Sequence, residues 1–226
     1  MLQMHDIDCD WVFAYGSLIW SPDIEFAERR AAKLYGYHRA FCISSTRYRG
    51  TAEKPGAVLG LDRGGSCTGV AYRFKSSSRQ LALTELFRRE MPDPKSSVYR
   101  PNIVQLVLGA PCTSTEPCPS DGPTSIDTTS DAPNVADLKR GASGNSVPST
   151  VGARVQALTF LADRKLPSYI HLDLDQLVER LSDCLGERGP NRDYAINTWK
   201  SLLDMGFEDR KLTQVVNRLR NMTVQS

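Results

Sequence analysis

The sequence predicts an α+β fold, on three observations. β-type runs fill most of the first 110 residues, one amphipathic helix interrupts them at 80–90, and the chain beyond 172 is helical throughout. With 226 residues, 40% of them hydrophobic and 24% charged, the composition is that of an ordinary globular protein that folds unaided.

Trp11-Val-Phe is a short apolar strand that runs without a polar transition into Gly16-Ser17. Gly16 lets the backbone take a positive φ or approach a ligand closely, and the main-chain N–H groups from Tyr15 to Ile19 are free of any ladder once the strand ends. On its own residues this stretch reads as a strand and an ordinary tight turn. After a loop at Ser21-Pro22-Asp23, residues 30–45 read as two consecutive strands with a bend or bulge near Gly36 or His38. Thr46–Pro55 is a polar link whose basic and aromatic residues can reach over a neighbouring site, although structural arginines are the commoner outcome. Gly56–Asp62 and Ser66–Phe74 flank Arg63-Gly64-Gly65 and read as a hairpin.

Ser76, Ser77 and Ser78 are candidate N-caps for a helix over 80–90, ended by Met91-Pro92. Leu83, Leu86 and Phe87 form its inward stripe at i, i+3 and i+4, and the i+7 member is Glu90. Glu85, about 200° around the helix from Leu83, faces solvent. A carboxylate on the inward face, in the last turn where the macrodipole disfavours negative charge, has a raised pKa and is poised as a base. The alternative is that the helix ends at the surface and Glu90 points to water.

Tyr99–Leu108 is a strand with Pro101 near its entry. Of the 42 residues from Gly109 to Thr150, 23 are Ser, Thr, Pro or Gly and none is aromatic, so the segment cannot bury enough surface to offset its ordering entropy. It reads as a disordered insertion joining neighbouring strands, because β-type patterning resumes over 151–162; residues 1–226 are then one domain. Asp173 caps a helix with Leu174, Leu177, Val178, Leu181 and Leu185 on one face, closed by Gly186. Gly189-Pro190-Asn191 restarts the chain into a helix carrying Tyr194, Ala195, Trp199, Leu202 and Leu203, which ends at Gly206. A last amphipathic helix has Leu212, Val215, Val216, Leu219 and Met222 as its stripe, which serves either a dimer contact or packing on the sheet.

The net charge of +2 gives no reason to expect a nucleic-acid partner, and the pairs Arg29-Arg30 and Arg88-Arg89 read as solvated or ion-paired. Met1–Asp10 lacks a basic n-region and a long apolar run, and no window approaches the ~20 apolar residues of a membrane span, so the expectation is a soluble cytoplasmic protein. Six scattered cysteines without CxxC spacing and three unclustered histidines predict free thiols and no structural metal.

With Val12-Phe-Ala-Tyr-Gly-Ser-Leu-Ile-Trp20, Tyr48-Arg-Gly50, Gly69-Val-Ala-Tyr72, Phe87-Arg-Arg-Glu-Met91 and Tyr99-Arg-Pro101 in this order, the chain resembles the ChaC-like γ-glutamylcyclotransferases. The resemblance implies a small mixed β-barrel flanked by helices and cleavage of glutathione to 5-oxoproline and cysteinylglycine, with no metal or cofactor. It places the substrate against Ala14, Tyr15, Gly16, Ser17, Leu18 and Ile19, the catalytic carboxylate at Glu90, and Tyr194 near the site. Ser17 lacks a His-Asp partner pattern and is not expected to be a nucleophile. Two other functions compete: a cyclotransferase for other γ-glutamyl amino acids or γ-glutamylamines, and a non-catalytic γ-glutamyl-binding module. Family members often have Gly at the position of Ala14, and Gly-Tyr soon after the Arg-Glu pair where this chain has Pro92-Asp-Pro.

Overall fold

Five strands close into a barrel in the computed structural model, which describes residues 2–91, 98–112 and 152–223. They are β1 (Trp11–Ala14), β2 (Phe26–Ser45), β3 (Gly56–Phe74), β4 (Tyr99–Pro111) and β5 (Arg154–Ala162), in the spatial order β1-β3-β2-β4-β5. Four of the pairings are antiparallel. The fifth, parallel, joins Trp11 to Ala157 and Val12 to Leu158 and closes the ring, so the barrel is mixed, as expected. Around it lie α1 (Arg79–Glu90), α2 (Leu174–Asp183), α3 (Asn191–Asp204) and α4 (Arg210–Thr223).

The two strands read at 30–45 are one 20-residue strand, and the hairpin read around Gly64-Gly65 does not exist. Between the pairs Tyr35↔Ser66 and Tyr37↔Arg63, Gly36 alone faces both Gly64 and Gly65, which makes a bulge. All three glycines have positive φ (+87°, +95°, +70°), so β2 and β3 bend together and keep pairing where a turn was expected. The actual turn of this ribbon is the polar link 46–55, beyond the pair Ser45↔Gly56.

Strand β4 runs through Pro111, three residues into the stretch assigned to the insertion. Arg30 explains the extension: 5% exposed, it donates to the Gly109 carbonyl from Nε (3.1 Å) and a terminal nitrogen (2.7 Å). The remaining expectation of disorder lies outside the described residues. On either side of that segment the ladder is continuous, since Gly152 N–H donates to Leu108 O and β4 pairs with β5 from Tyr99↔Ala162 to Val107↔Arg154. Pro101 sits near the entry of β4, where its ladder neighbour is β5.

Helix α2 begins as expected at a capping box, Asp173 accepting from Gln176 N–H and Gln176 returning the bond. It stops at Asp183, however, and Leu185 is 63% exposed: it belongs to β6 (Leu185–Gly186), which pairs with β7 (Gly189–Pro190) in a two-residue hairpin. Asn191, fully buried, fastens the start of α3 to β3 by bonding both the N–H and the C=O of Ala57 (2.7 and 2.9 Å). Gly206, with φ +76°, ends α3 as a left-handed cap, while Leu203 is 41% exposed and outside the core. The stripe of α4 is taken up within the chain. Val215 and Leu219 pack with Leu177, Val178 and Leu181 of α2, and Met222 stays half exposed. Cys9, Cys42, Cys67, Cys112 and Cys184 are free thiols. Among the described residues no helix is long and apolar enough to cross a membrane.

Candidate active site

Strand β1 is buried along its whole length and ends at Ala14. The chain then turns at Gly16 into one turn of 3-10 helix, Ser17–Ile19, closed by Ile19 N–H to Gly16 O (3.0 Å) and Trp20 N–H to Ser17 O (3.2 Å). Such a turn leaves its leading donors unused: among the described residues none accepts from the N–H groups of Gly16, Ser17 or Leu18. Gly16 has φ −129°, so its glycine is not required for positive φ. It is required for space, because a Cβ there would lie 3.0 Å from the Tyr194 hydroxyl.

Tyr15 is held at both ends. Its hydroxyl donates to Phe160 O (2.6 Å), and its carbonyl accepts from Nε of Arg39 (2.6 Å). Arg39, its side chain 4% exposed, also donates to Thr68 O (2.7 Å) and pairs with Asp209 (2.5 Å), the residue that caps the start of α4. The floor of the turn is therefore tied to β2, β3 and α4 through one guanidinium.

Glu90 closes the inward stripe of α1. Leu83 and Leu86 are 1% exposed and Phe87 packs edge-on against Phe160 (5.8 Å), which aims Glu90 at the barrel mouth. Its side chain is 16% exposed, neither core nor surface. Burial pushes the Glu90 carboxyl above the usual carboxylate range, and the positive charges of Arg89 and Arg188 pull against that rise. Arg89, itself 8% exposed, links helix and turn: it donates to Ser17 Oγ (2.9 Å), Ser21 O (2.6 Å) and Asp23 (2.6 Å), and its Nε lies 3.3 Å from Glu90 Oε1. Arg88 points away and pairs with Glu85 in solvent.

Glu90 opens onto a cavity of about 740 Å³ bounded by Ser17, Trp20, Tyr48, Arg49, Arg89, Tyr99, Arg188 and Tyr194. A notch of about 30 Å³ adjoins it, lined by Tyr15, Gly16, Ser17 and Leu18 of the turn together with Glu90, Tyr99 and Tyr194. The three tyrosines differ in how they use their hydroxyls. Tyr15 donates to Phe160 O and Tyr99 donates to Leu59 O (2.8 Å). Tyr194 accepts from Leu59 N–H (3.1 Å), and among the described residues nothing accepts its own proton. Burial raises its pKa, so it stays a neutral donor.

Of the residues expected at the site, Tyr15, Gly16, Ser17, Leu18, Tyr194 and Glu90 come together at the notch. Ala14 and Ile19 line neither space. Ala14 is fully buried in the barrel, and Ile19 is 2% exposed with its carbonyl accepting from Tyr72 Oη (3.0 Å). Sequence reasoning did not assign Arg89, Tyr99, Arg49 or Arg188 to the site. Arg49 stacks on Tyr194 (5.4 Å), and Arg188 stacks on Tyr48 (4.3 Å). Adjacency to Glu90 was the available signal for Arg89, and the composition of the 46–55 link was the signal for Arg49; nothing local marks Arg188.

In a closed mixed barrel, a largely buried carboxylate and unused main-chain donors thus line one narrow notch. The model of the ChaC-like protein family matches residues 10–222. The glutathione-specific gamma-glutamylcyclotransferase of Escherichia coli K12 is 30% identical over 217 residues, 96% of this chain and 75% of that protein. Gamma-glutamylcyclotransferase 2-3 of Arabidopsis thaliana is 28% identical over 221 residues, 96% of this chain and 91% of that one. The crystal structure of the yeast gamma-glutamylcyclotransferase specific to glutathione superposes with a TM-score of 0.70 at 18% identity, covering 93% of this chain and 95% of the other. The chain belongs to the ChaC-like family and has the γ-glutamylcyclotransferase-like fold.

Proposed function

We propose that this chain is a γ-glutamylcyclotransferase that cleaves glutathione to 5-oxoproline and cysteinylglycine, with Glu90 as general base and then general acid. The observation that carries the assignment of roles is that Glu90 and the Tyr15–Leu18 turn line the same narrow notch. Family membership supports the reaction.

The α-ammonium of the glutamyl group is ordinarily protonated at neutral pH and cannot attack until it gives up a proton. Glu90 takes that proton, and its raised pKa brings it nearer the amine and makes the transfer easier. The freed amine attacks its own γ-carbonyl, a carbon–nitrogen bond forms within a five-membered ring, and the bond to the cysteinyl nitrogen breaks. Glu90 returns its proton to that nitrogen as it leaves, and the carboxylate so regenerated takes the second proton of the ring nitrogen and passes it through water to the released amine, which departs as the ammonium while the lactam keeps one N–H. Nucleophile and electrophile belong to one molecule, so the protein's main task is to fold the substrate; well-oriented intramolecular attack reaches effective molarities of ~10⁵ to 10⁸ M. The unused N–H groups of Gly16, Ser17 and Leu18 bind the glutamyl α-carboxylate, and the free Tyr194 O–H donates to the oxygen that gains charge at the γ-carbonyl. Ala14 and Ile19 act behind the turn by packing.

The same reading takes residues 1–226 as one domain in which the stretch after β4 is inserted between neighbouring strands, working in the cytoplasm on a small-molecule substrate. Product analysis across glutathione, γ-glutamyl amino acids and γ-glutamylamines tests the reaction and its substrate together. Glu90→Gln keeps the fold and lowers kcat by about 10² to 10⁴, the usual worth of a general acid–base. Full turnover in that variant removes Glu90 from the chemistry.

A further inference from the structure

The cavity gathers positive charge that its own carboxylates do not match. Arg89 is ion-paired with Asp23 and Glu90, and Arg47 with Glu187 (2.9 Å). Arg49 and Arg188 have no carboxylate partner among the described residues. Arg49 is 8% exposed, and among the described residues its guanidinium donates one hydrogen bond, to Pro190 O (3.1 Å). Burial pushes its guanidinium pKa down, the neighbouring charges of Arg188 and Arg89 push the same way, and Tyr194 and the Asp193 carboxylate pull against them. Guanidiniums this close, with one of them largely out of water, are stabilised by an anion arriving between them.

Arg188 is held there by a device separate from the barrel. The hairpin β6–β7 lies along the 46–49 link, with Glu187 N–H donating to Arg47 O and Arg188 N–H to Tyr48 O, 3.0 Å each. Gly186 permits the approach, since a Cβ there would lie 2.5 Å from the backbone nitrogens of Arg49 and Gly50. Gly189, at φ +91°, turns the hairpin back. Arg188 is exposed, yet its guanidinium carbon lies 4.3 Å from the centre of the Tyr48 ring, a contact that favours this placement before any ligand binds. It lines the wide cavity but not the notch, whereas Glu90 lines both. Arg188 therefore stands toward the mouth, where the end of the substrate remote from the reacting γ-glutamyl group must lie.

We infer that Arg188, presented by the 185–190 hairpin and stacked on Tyr48, is the subsite for the C-terminal carboxylate of the leaving dipeptide, and that it gives the enzyme its preference for peptide over amine leaving groups. This rests on the cyclotransferase reading above. A γ-glutamylamine offers no carboxylate at that place, and γ-glutamylcysteine offers one a residue too near the scissile bond.

The test compares glutathione with its glycinamide, in which only that carboxylate is masked, using wild type, Arg188→Ala and Arg188→Lys, and reading 5-oxoproline release. Wild type is expected to show a KM about five- to tenfold higher for the glycinamide, the worth of one partly exposed charged hydrogen-bonded pair. In Arg188→Ala the KM for glutathione rises by about the same factor while that for the glycinamide moves far less; losing a positive charge that acts on Glu90 changes kcat alike for both substrates, so the readout is the ratio of the two KM values. Arg188→Lys restores part of the discrimination. Equal KM changes for the two substrates, or none for either, overturn the subsite while leaving the reaction standing. A wild-type protein that forms no 5-oxoproline from either substrate refutes the reaction itself and the subsite with it.

Discussion

Arg89→Met removes the one guanidinium in direct contact with Glu90 and keeps most of the buried stem. The two charges stand 3.3 Å apart, with side chains 8% and 16% exposed, so their gross attraction is roughly 5 kcal/mol in an effective dielectric of about 20. Much of that is offset by the cost of taking both ions from water, and a neighbouring opposite charge ordinarily moves a carboxyl pKa by about 1 to 3 units. The sign follows from the causes acting on Glu90. Burial raises its pKa and Arg89 opposes the rise, so deleting the arginine lets it climb further. As the proposed base, Glu90 would work in its ionised form, and the acid limb of kcat/KM would report its pKa in the free enzyme. The limb should therefore move up by about 1 to 2 pH units in the variant, with rates in its acid region falling at least tenfold and recovering in large part at high pH. Folding shifts in the same sense. A carboxyl whose folded pKa is raised stabilises the fold below its unfolded pKa and loses that contribution as pH rises through the folded value, so Arg89→Met should lose more Tm at neutral pH than at pH near 4. The assay is 5-oxoproline release from glutathione as a function of pH for wild type, Arg89→Met and Arg89→Lys. An acid limb unchanged in Arg89→Met, or displaced downward, refutes the electrostatic account of Glu90.

Two further variants probe the notch and the floor of its turn. Tyr194→Phe keeps the ring and removes the free donor, so kcat should fall by about 10² with KM little changed, while the orphaned Leu59 N–H costs about 1 to 3 kcal/mol in chemical denaturation; unaltered kcat would exclude Tyr194 from charge stabilisation. Arg39→Met strips a partner from Tyr15 O, Thr68 O and Asp209 at once, and because Asp209 is 23% exposed the loss should be near the low end of a broken buried pair, about 3 kcal/mol, with kcat lowered in the folded fraction; a stable variant of full activity would show that the turn holds its shape without the strut.

The parts of the site legible in the sequence are those governed by local rules. Leu83, Leu86 and Phe87 announce an inward face by their spacing, and the position of Glu90 follows by continuing it one turn. Asp173 and Gln176 mark a helix start by chemistry confined to four residues. Gly64-Gly65 misled because positive φ serves a bulge as readily as a turn, and only the length of β2 opposite decides between them. Arg30 was illegible for a related reason: its partner is the Gly109 carbonyl, whose place depends on the register of β4 against β2. Arg188 is the extreme case. Its position is set by backbone bonds to residues some 140 positions earlier, as in the neighbouring pair Arg47–Glu187, and no periodicity records such a contact.

The barrel closes through β1 and β5, and that seam also builds the notch, since the Tyr15 hydroxyl reaches Phe160 O across 145 positions of chain. Synthesis runs from one end. The turn at Gly16, the carboxylate of Glu90 and the arginine at position 49 are all made while the second side of the seam is still unwritten, and the free hydroxyl of Tyr194 arrives later still. A nascent chain thus carries the proposed acid–base group before the far side of the notch has been made. The protein acquires its chemistry at one late moment, when its first strand meets a partner from the far side of the chain.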